Sequence, residues 1–252
     1  TRSFIWPGQS PEHDLDIGGK RVHMGTGGAA PLILDFNTGR YRETTLVDVY
    51  DIARLVDTLE NIHYVWRTVV ARDMPTAFDL DINTAYACMQ ATGKHIGVSF
   101  VNGKHVRAAI DMFDIHLGGE GEFRKRPFCS LSCCHVVPPL RFAQESCDAL
   151  ETAVLSGMPA TLISLAQSGA TGPAALAGTI AQAMTEALAG LVFAYLLDSH
   201  CRTDLGTWTF VSDLRTGAMS AGSPELALMM AGGAQMAGFY DLPGSVAAGM
   251  SD

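Results

Sequence analysis

From residue 44 onward, short apolar runs alternate with longer amphipathic runs, and this order restricts the chain to architectures built on a parallel sheet. Parallel strands cannot be joined by a tight turn, so each pair needs a crossover, and repeated crossovers place helices on the sheet faces. Six strands are predicted, over residues 64–69, 95–100, 128–133, 160–165, 207–212 and 244–248, with a seventh candidate within the glycine-rich segment 23–35. Helices are predicted over 46–62, 83–92, 104–117, 142–156, 174–197 and 223–240. The first forty residues differ, and 16–18 and 21–24 flank Gly19 and Lys20 as a hairpin would. The expected fold is α/β, a TIM-type (β/α)8 barrel with an N-terminal β-hairpin, over 1–252 as one domain, with 1–40 as lead-in and 44–252 as the alternating units. Eight strands close such a barrel. The count here is lower, and residue 1 is not a methionine, so the chain is expected to be the incomplete core of a longer protein.

Charge and composition exclude some functions. A net charge of −9 with no Lys or Arg cluster beyond the Arg124, Lys125, Arg126 triplet argues against a nucleic-acid partner. The apolar stretch 174–197 is interrupted by Thr179, Gln182, Thr185 and Glu186, so it reads as a core helix and not as a membrane span. Six cysteines scattered through apolar segments fit a reduced, cytoplasmic protein better than a disulfide scaffold. The charged fraction is only 17%, which fits surface buried against other copies or other segments. A homo-oligomer is consistent with this, although the methionines Met229, Met230 and Met236 read more readily as core.

In a parallel sheet, residues just past the strand ends converge on one face, where ligands bind. That rule gathers Arg72, Asp73, Asn102, His135, Gln167, Ser168, Asp213, Arg215, Ser251 and Asp252. Each alone is more readily an ordinary polar loop residue, but the set is read as a substrate pocket. Cys129, Cys133, Cys134 and His135 lack the second ligand pair of a structural zinc site and read as buried thiols with a neighbour. Gly25, Gly27 and Ala30 fit a dinucleotide fingerprint only in spacing, because Pro31 and an apolar run follow where a helix should begin. Pro173 removes a donor from the Ser168–Gly172 loop as a phosphate cradle. No G-x-S-x-G elbow is present, and Glu186 lies within an apolar helix, more readily structural than catalytic. Trp208 and Phe210 alternate with Thr207, Thr209 and Val211, as core residues or as an aromatic wall.

The segment running from Trp208 through Asp213, Arg215, Gly217 and Gly222 to Glu225 resembles the trimethylamine methyltransferase, or MttB-like, family. So do the runs Ala234 to Ala237, Tyr240 to Pro243 and Thr179 to Gly190, and Asp16 to Gly19 with Asp35 match the start of the family's barrel. The resemblance spans the whole chain and corresponds to the middle of a protein about twice as long. It implies a TIM-type barrel that moves a methyl group from a small methylated amine to the Co(I) of a separate corrinoid protein. The chain itself would bind no cofactor and no metal; the corrinoid (cobalamin) would belong to the partner. Members acting on trimethylamine carry pyrrolysine, whereas this sequence holds standard residues only, so it is more similar to members acting on glycine betaine and other quaternary amines. Two further readings remain, a trimethylamine enzyme proper and a non-catalytic barrel that binds a methylated amine. An unrelated aldolase or isomerase barrel would show a strand-end lysine or an acid cluster, and neither is seen. Such a cation would be held by aromatic faces and carboxylates, with Trp208, Asp213 and Tyr240 as candidates. A betaine carboxylate would be held by Arg72, Asn102, His135 or Arg215, and Gln167 completes the expected binding set.

Overall fold

The parallel sheet forms, and its strands are short. In chain order the strands of the computed structural model, which describes residues 2–249, are β1 (Ser3–Trp6), β2 (Leu15–Gly18), β3 (Leu32–Leu34), β4 (Tyr41–Glu43), β5 (Tyr64–Trp66), β6 (His95–Val98), β7 (Cys129–Cys133), β8 (Val136–Val137), β9 (Arg141–Phe142), β10 (Ala160–Ser164), β11 (Gln167–Ser168), β12 (Thr203–Thr207), β13 (Phe210–Val211) and β14 (Gly244–Ser245). The helices are α1 (Leu46–Asp57), α2 (Ala77–Ala91), α3 (Gly103–Leu117), α4 (Glu122–Lys125), α5 (Gln144–Leu155), α6 (Leu176–Leu197) and α7 (Pro224–Phe239). Six strands make one parallel sheet in the order β14-β12-β10-β7-β6-β5. Parallel bridges from Gly25 to Tyr64 and from Ala30 to Val69 carry the sheet on into the glycine-rich segment, where a seventh strand was expected.

The sheet is curled. Trp66 ends β5 and Trp208 follows β12, four strand positions away, which in a flat sheet would put them about 19 Å apart. Their rings are 4.9 Å apart. The side chains alternate accordingly. Ile96, Val98, Cys129, Leu131, Cys133 and Leu162 face the helices and join Val106, Phe113, Phe128 and Leu150 in the main core. Leu205 packs on Met184 and Ala187 of α6. Each fully buried Phe or Leu here contributes about 1.5–3 kcal/mol of burial. His95, Gly97, Ser130, Ser132, Thr161, Ile163, Asp204 and Gly206 take the opposite, concave face.

Several predicted boundaries move, each for a local reason. The hairpin is not 16–18 with 21–24. β2 pairs antiparallel with β1, and the left-handed backbone of Gly18 and Gly19 ends it. Arg21 turns back to the Asp16 carboxylate at 2.8 Å, and 21–24 forms no strand. The β1–β2 ribbon brings Trp6 and Leu15 against Trp66. The fifth-strand prediction over 207–212 is displaced to β12, and Phe210–Val211 instead pairs with β11. The helix expected from 83 starts six residues earlier, because Thr76 caps it by accepting from the Asp79 N–H at 3.1 Å. The helix expected to reach 62 ends at Asp57, where Thr58 donates its hydroxyl to Leu55 O. The α3, α5, α6 and α7 predictions agree within two residues. Ser223 accepts from the Leu226 N–H at 3.2 Å as the expected cap of α7, whose Met229 and Met230 are buried.

By length and composition α6 could cross a membrane. Its Glu186, however, is buried, accepting from the Ser164 hydroxyl at 2.5 Å and from the Leu140 N–H at 2.8 Å. It ties α6 to the end of β10 and to the loop after β8, which is a packing role.

Candidate functional site: an aromatic cavity inside the curled sheet

A cavity of about 650 Å³ lies on the concave side, toward the C-terminal ends of the strands. Its walls come from the ends of five strands: Tyr64 and Trp66, Gly97 and Ser99, Ser132 and Cys134, Ile163 and Leu165, then Ser245 to Gly249. Trp208 and Phe210 continue the wall after β12, and the Gly25–Ala30 segment closes the β5 side. Tyr64, Trp66 and Trp208 form a continuous aromatic run, with ring centroids 5.6 Å and 4.9 Å apart. From below, Trp6 meets Tyr64 edge-on at 5.5 Å and stacks on His95 at 4.8 Å. Two glycines make room for these rings. A Cβ on Gly97 would sit 1.7 Å from Trp66 Cδ1, and one on Gly25 would sit 2.0 Å from Tyr64 Cε2.

The interior is polar in an unusual way. Buried Nε1 atoms of Trp6, Trp66 and Trp208, His95 Nε2 and Ser130 Oγ have no hydrogen-bond partner among the described residues. Burial holds His95 neutral, its pKa pushed down to about 4, while Nδ1 bonds Pro7 O at 2.8 Å. Burial, and after it the Asp204 charge, pushes the Tyr64 phenol up to about 12. Asp204 lies at the level of Thr161, which donates to it at 2.7 Å, and burial pushes its carboxyl up to about 6. Arg67 contributes to the wall by position, but its charge is felt by Asp81 and Cys88 on α2, and burial lowers its pKa.

Of the residues expected at the site, the structure puts Trp208 in the wall and the others elsewhere. Arg72 pairs with Glu43 at 3.4 Å on the surface, and Asp73 accepts from the Leu46 N–H at the start of α1. Asn102 caps α3, accepting from the Lys104 and His105 N–H groups. His135 lies in the helix layer, donating from Nε2 to Glu186 O at 2.9 Å, and burial lowers its pKa. Gln167 accepts from the Ser212 hydroxyl, and Ser168 donates to Pro173 O and Ala174 O. Asp213 and Arg215 pair with each other at 3.2 Å in a surface turn, and that contact holds the Asp213 pKa low. Tyr240 is half-exposed at the end of α7 beside Phe239. Ser251 and Asp252 lie outside the described residues. Cys129 and Cys133 are in the helix-facing core while Cys134 lines the cavity, so the three thiols do not converge.

The strand-end rule gathered neither Tyr64 and Trp66 in the wall nor Asp204 in the layer beneath it. Tyr64 and Trp66 alternate with Val65, so an aromatic face was readable in 64–66. Asp204 had no signal, because the segment around it did not read as a strand.

A family model described as trimethylamine methyltransferase (MTTB) matches residues 1–252. The chain belongs to the trimethylamine methyltransferase family. It is 30% identical over 250 residues to the trimethylamine methyltransferase MttB of Desulfitobacterium hafniense, covering 99% of this chain and 50% of that one. It is 32% identical over 255 residues to MttB1 of Methanosarcina mazei, covering 100% of this chain and 51% of the relative. The glycine betaine methyltransferase of Desulfitobacterium hafniense is 29% identical over 250 residues, with 99% and 52% covered. The chain spans about half the length of the curated relatives it matches.

Proposed function

We propose that this family member is a methyltransferase that takes a methyl group from a quaternary amine, glycine betaine or a similar compound, and passes it to Co(I) of a corrinoid protein. The observation that carries the reading is the cavity wall of Tyr64, Trp66 and Trp208. Aromatic faces attract a cation that carries no N–H donors, and each contact contributes roughly 0.5–2 kcal/mol. A trimethylammonium head group is such a cation. Two of the relatives described above are trimethylamine methyltransferases and one is a glycine betaine methyltransferase, which supports a methylated amine as the substrate class.

The chemistry asks little of side-chain nucleophiles. The N–CH3 bond breaks, the Co–CH3 bond forms, and the bonding pair stays on nitrogen, which leaves as a neutral tertiary amine. Positioning and water exclusion are what remains for the protein. The wall supplies both: rings lying over Gly25 and Gly97 fix the amine, and the apolar Ile163, Leu165 and Phe210 exclude water. We read the curled sheet as part of a TIM-type barrel over one domain, 1–252, whose strand ends receive the corrinoid partner. A cytoplasmic setting keeps buried thiols such as Cys88 and Cys129 reduced.

The test is methyl transfer to cob(I)alamin, followed by the visible spectrum with glycine betaine, other betaines and trimethylamine offered separately. Methylcobalamin formed from a quaternary amine is the expected result. Methylcobalamin from trimethylamine alone would move the protein to the trimethylamine reading. Tight binding of an amine with no transfer would make it a binding barrel.

A further inference from the structure

Asp204 is a buried acid with no cationic partner among the described residues. It is fully enclosed at 2% exposure, and the neutral Thr161 hydroxyl donates to it at 2.7 Å. Its neighbour Leu205 packs outward on α6, so the carboxylate is turned into the concave interior. Across that interior its charge is felt by the Tyr64 phenol on β5. On the β14 side the Ser245 hydroxyl faces it and, with the Thr161 hydroxyl, partly offsets the effect of burial on the carboxyl. Tyr64 and Ser245 both line the cavity, and Trp208, four residues along the chain, is part of its aromatic wall. The residue between Asp204 and Trp208 on the concave face is Gly206, which has no side chain to intervene.

We infer that Asp204 is the counter-charge for a cationic ligand in the aromatic cavity, seated one layer beneath its wall. The inference rests on the reading of that cavity as a methylated-amine site and names the residue that selects charge there. An unpaired buried carboxylate is costly, and a cation arriving in the cavity offsets that cost, so binding favours a charged head group over a neutral one of the same shape. No interior group of the described residues does this in its place. His95, in the same layer, is held neutral. Thr161, Ser130 and Ser245 on the neighbouring strands do not ionise near neutral pH, and Tyr64 stays protonated. Arg67 interacts with the α2 side. The Cys134 thiol at the wall is shifted upward. Arg2 pairs with Asp241 in solvent. Asp204 is therefore the interior group that changes charge between about pH 5 and about pH 8.

The experiment measures calorimetric affinity of the full chain for choline and for its uncharged isostere 3,3-dimethyl-1-butanol across that pH range, with parent and Asp204→Asn proteins. In the parent, choline affinity is expected to rise about tenfold from acid to neutral pH while the alcohol is flat. In Asp204→Asn, choline affinity at neutral pH is expected to fall about tenfold and lose its pH dependence, while the alcohol binds as before. Unchanged alcohol binding shows that the variant's cavity is intact. Should the variant not fold, the ratio of choline to alcohol affinity in the parent against pH decides alone. A flat ratio, equal losses for both ligands, or no choline binding by the parent overturns the inference. Methyl transfer accompanied by a flat ratio removes Asp204 and leaves the enzyme reading standing. A pH-dependent ratio without methyl transfer does the reverse.

Discussion

At the residue scale, Asp204 sets a trade between stability and binding. Its folded-state pKa of about 6 is above the ordinary 3.8, so the protonated form is the one that suits the fold. That stability is fully present below about pH 3.8 and is lost as pH rises through about 6. The loss is on the order of 3 kcal/mol. Asp204→Asn should therefore melt higher than the parent at pH 7, with the gap closing by about pH 4 in thermal scans. A gap of the same size at both pH values would show that the carboxyl is not strained by burial. Trp208→Ala should weaken quaternary-amine binding by about 1–2 kcal/mol in calorimetry, through loss of one aromatic face. Asp213→Asn should leave binding unchanged, because among the described residues the Asp213 carboxylate pairs with Arg215 in a surface turn away from the cavity wall. The alternation in 207–211 brought out Trp208, while the strand-end rule gathered Asp213 and not Asp204. It selects exposed polar residues after a strand, whereas the acid in the interior sits within one.

At the element scale, β12 explains why that acid was illegible. Thr203-Asp204-Leu205-Gly206-Thr207 holds two poor strand formers in five residues. The better-looking run, Thr207 to Ser212, drew the assignment away. β12 forms because β10 and β14 hold its backbone on either side. The mismatch between local preference and final structure falls on Asp204 and Gly206, which face the concave interior, as expected where function overrides propensity. The amphipathic helices were legible to within two residues where a cap or a break was visible, as at Ser223, and drifted where the cap was weaker in pattern, as at Thr76. Gly97 gives an element-level prediction. Gly97→Ala places a Cβ 1.7 Å from the Trp66 ring and must displace it. Stability should fall by about 1–3 kcal/mol in urea unfolding, and quaternary-amine affinity should fall with it. Leu150→Ala, in the fully buried core of α5, should cost about 2–5 kcal/mol and leave ligand binding intact.

At the scale of the molecule, alternating strands and helices made the parallel sheet readable, and the family resemblance was carried by the Trp208–Glu225 block. The curl of the sheet was not readable, because it shows only in contacts such as Trp66 with Trp208, across four strands. Nor was the β1–β2 ribbon, whose partner choice depends on Trp6 finding His95 and Tyr64 inside the sheet. All three tryptophans of the chain, Trp6, Trp66 and Trp208, lie in that interior cluster. Tryptophan emission therefore reports on the cavity and on little else. The most direct measurement is a fluorescence titration with glycine betaine and, separately, with its uncharged-head analogue 3,3-dimethylbutanoate. The account predicts a saturable change in emission with the betaine, at concentrations where the analogue has no effect, and a midpoint shifted about tenfold to higher betaine in Trp208→Ala. Emission that stays constant with the betaine and with every other quaternary amine, or that responds equally to the analogue, would contradict it.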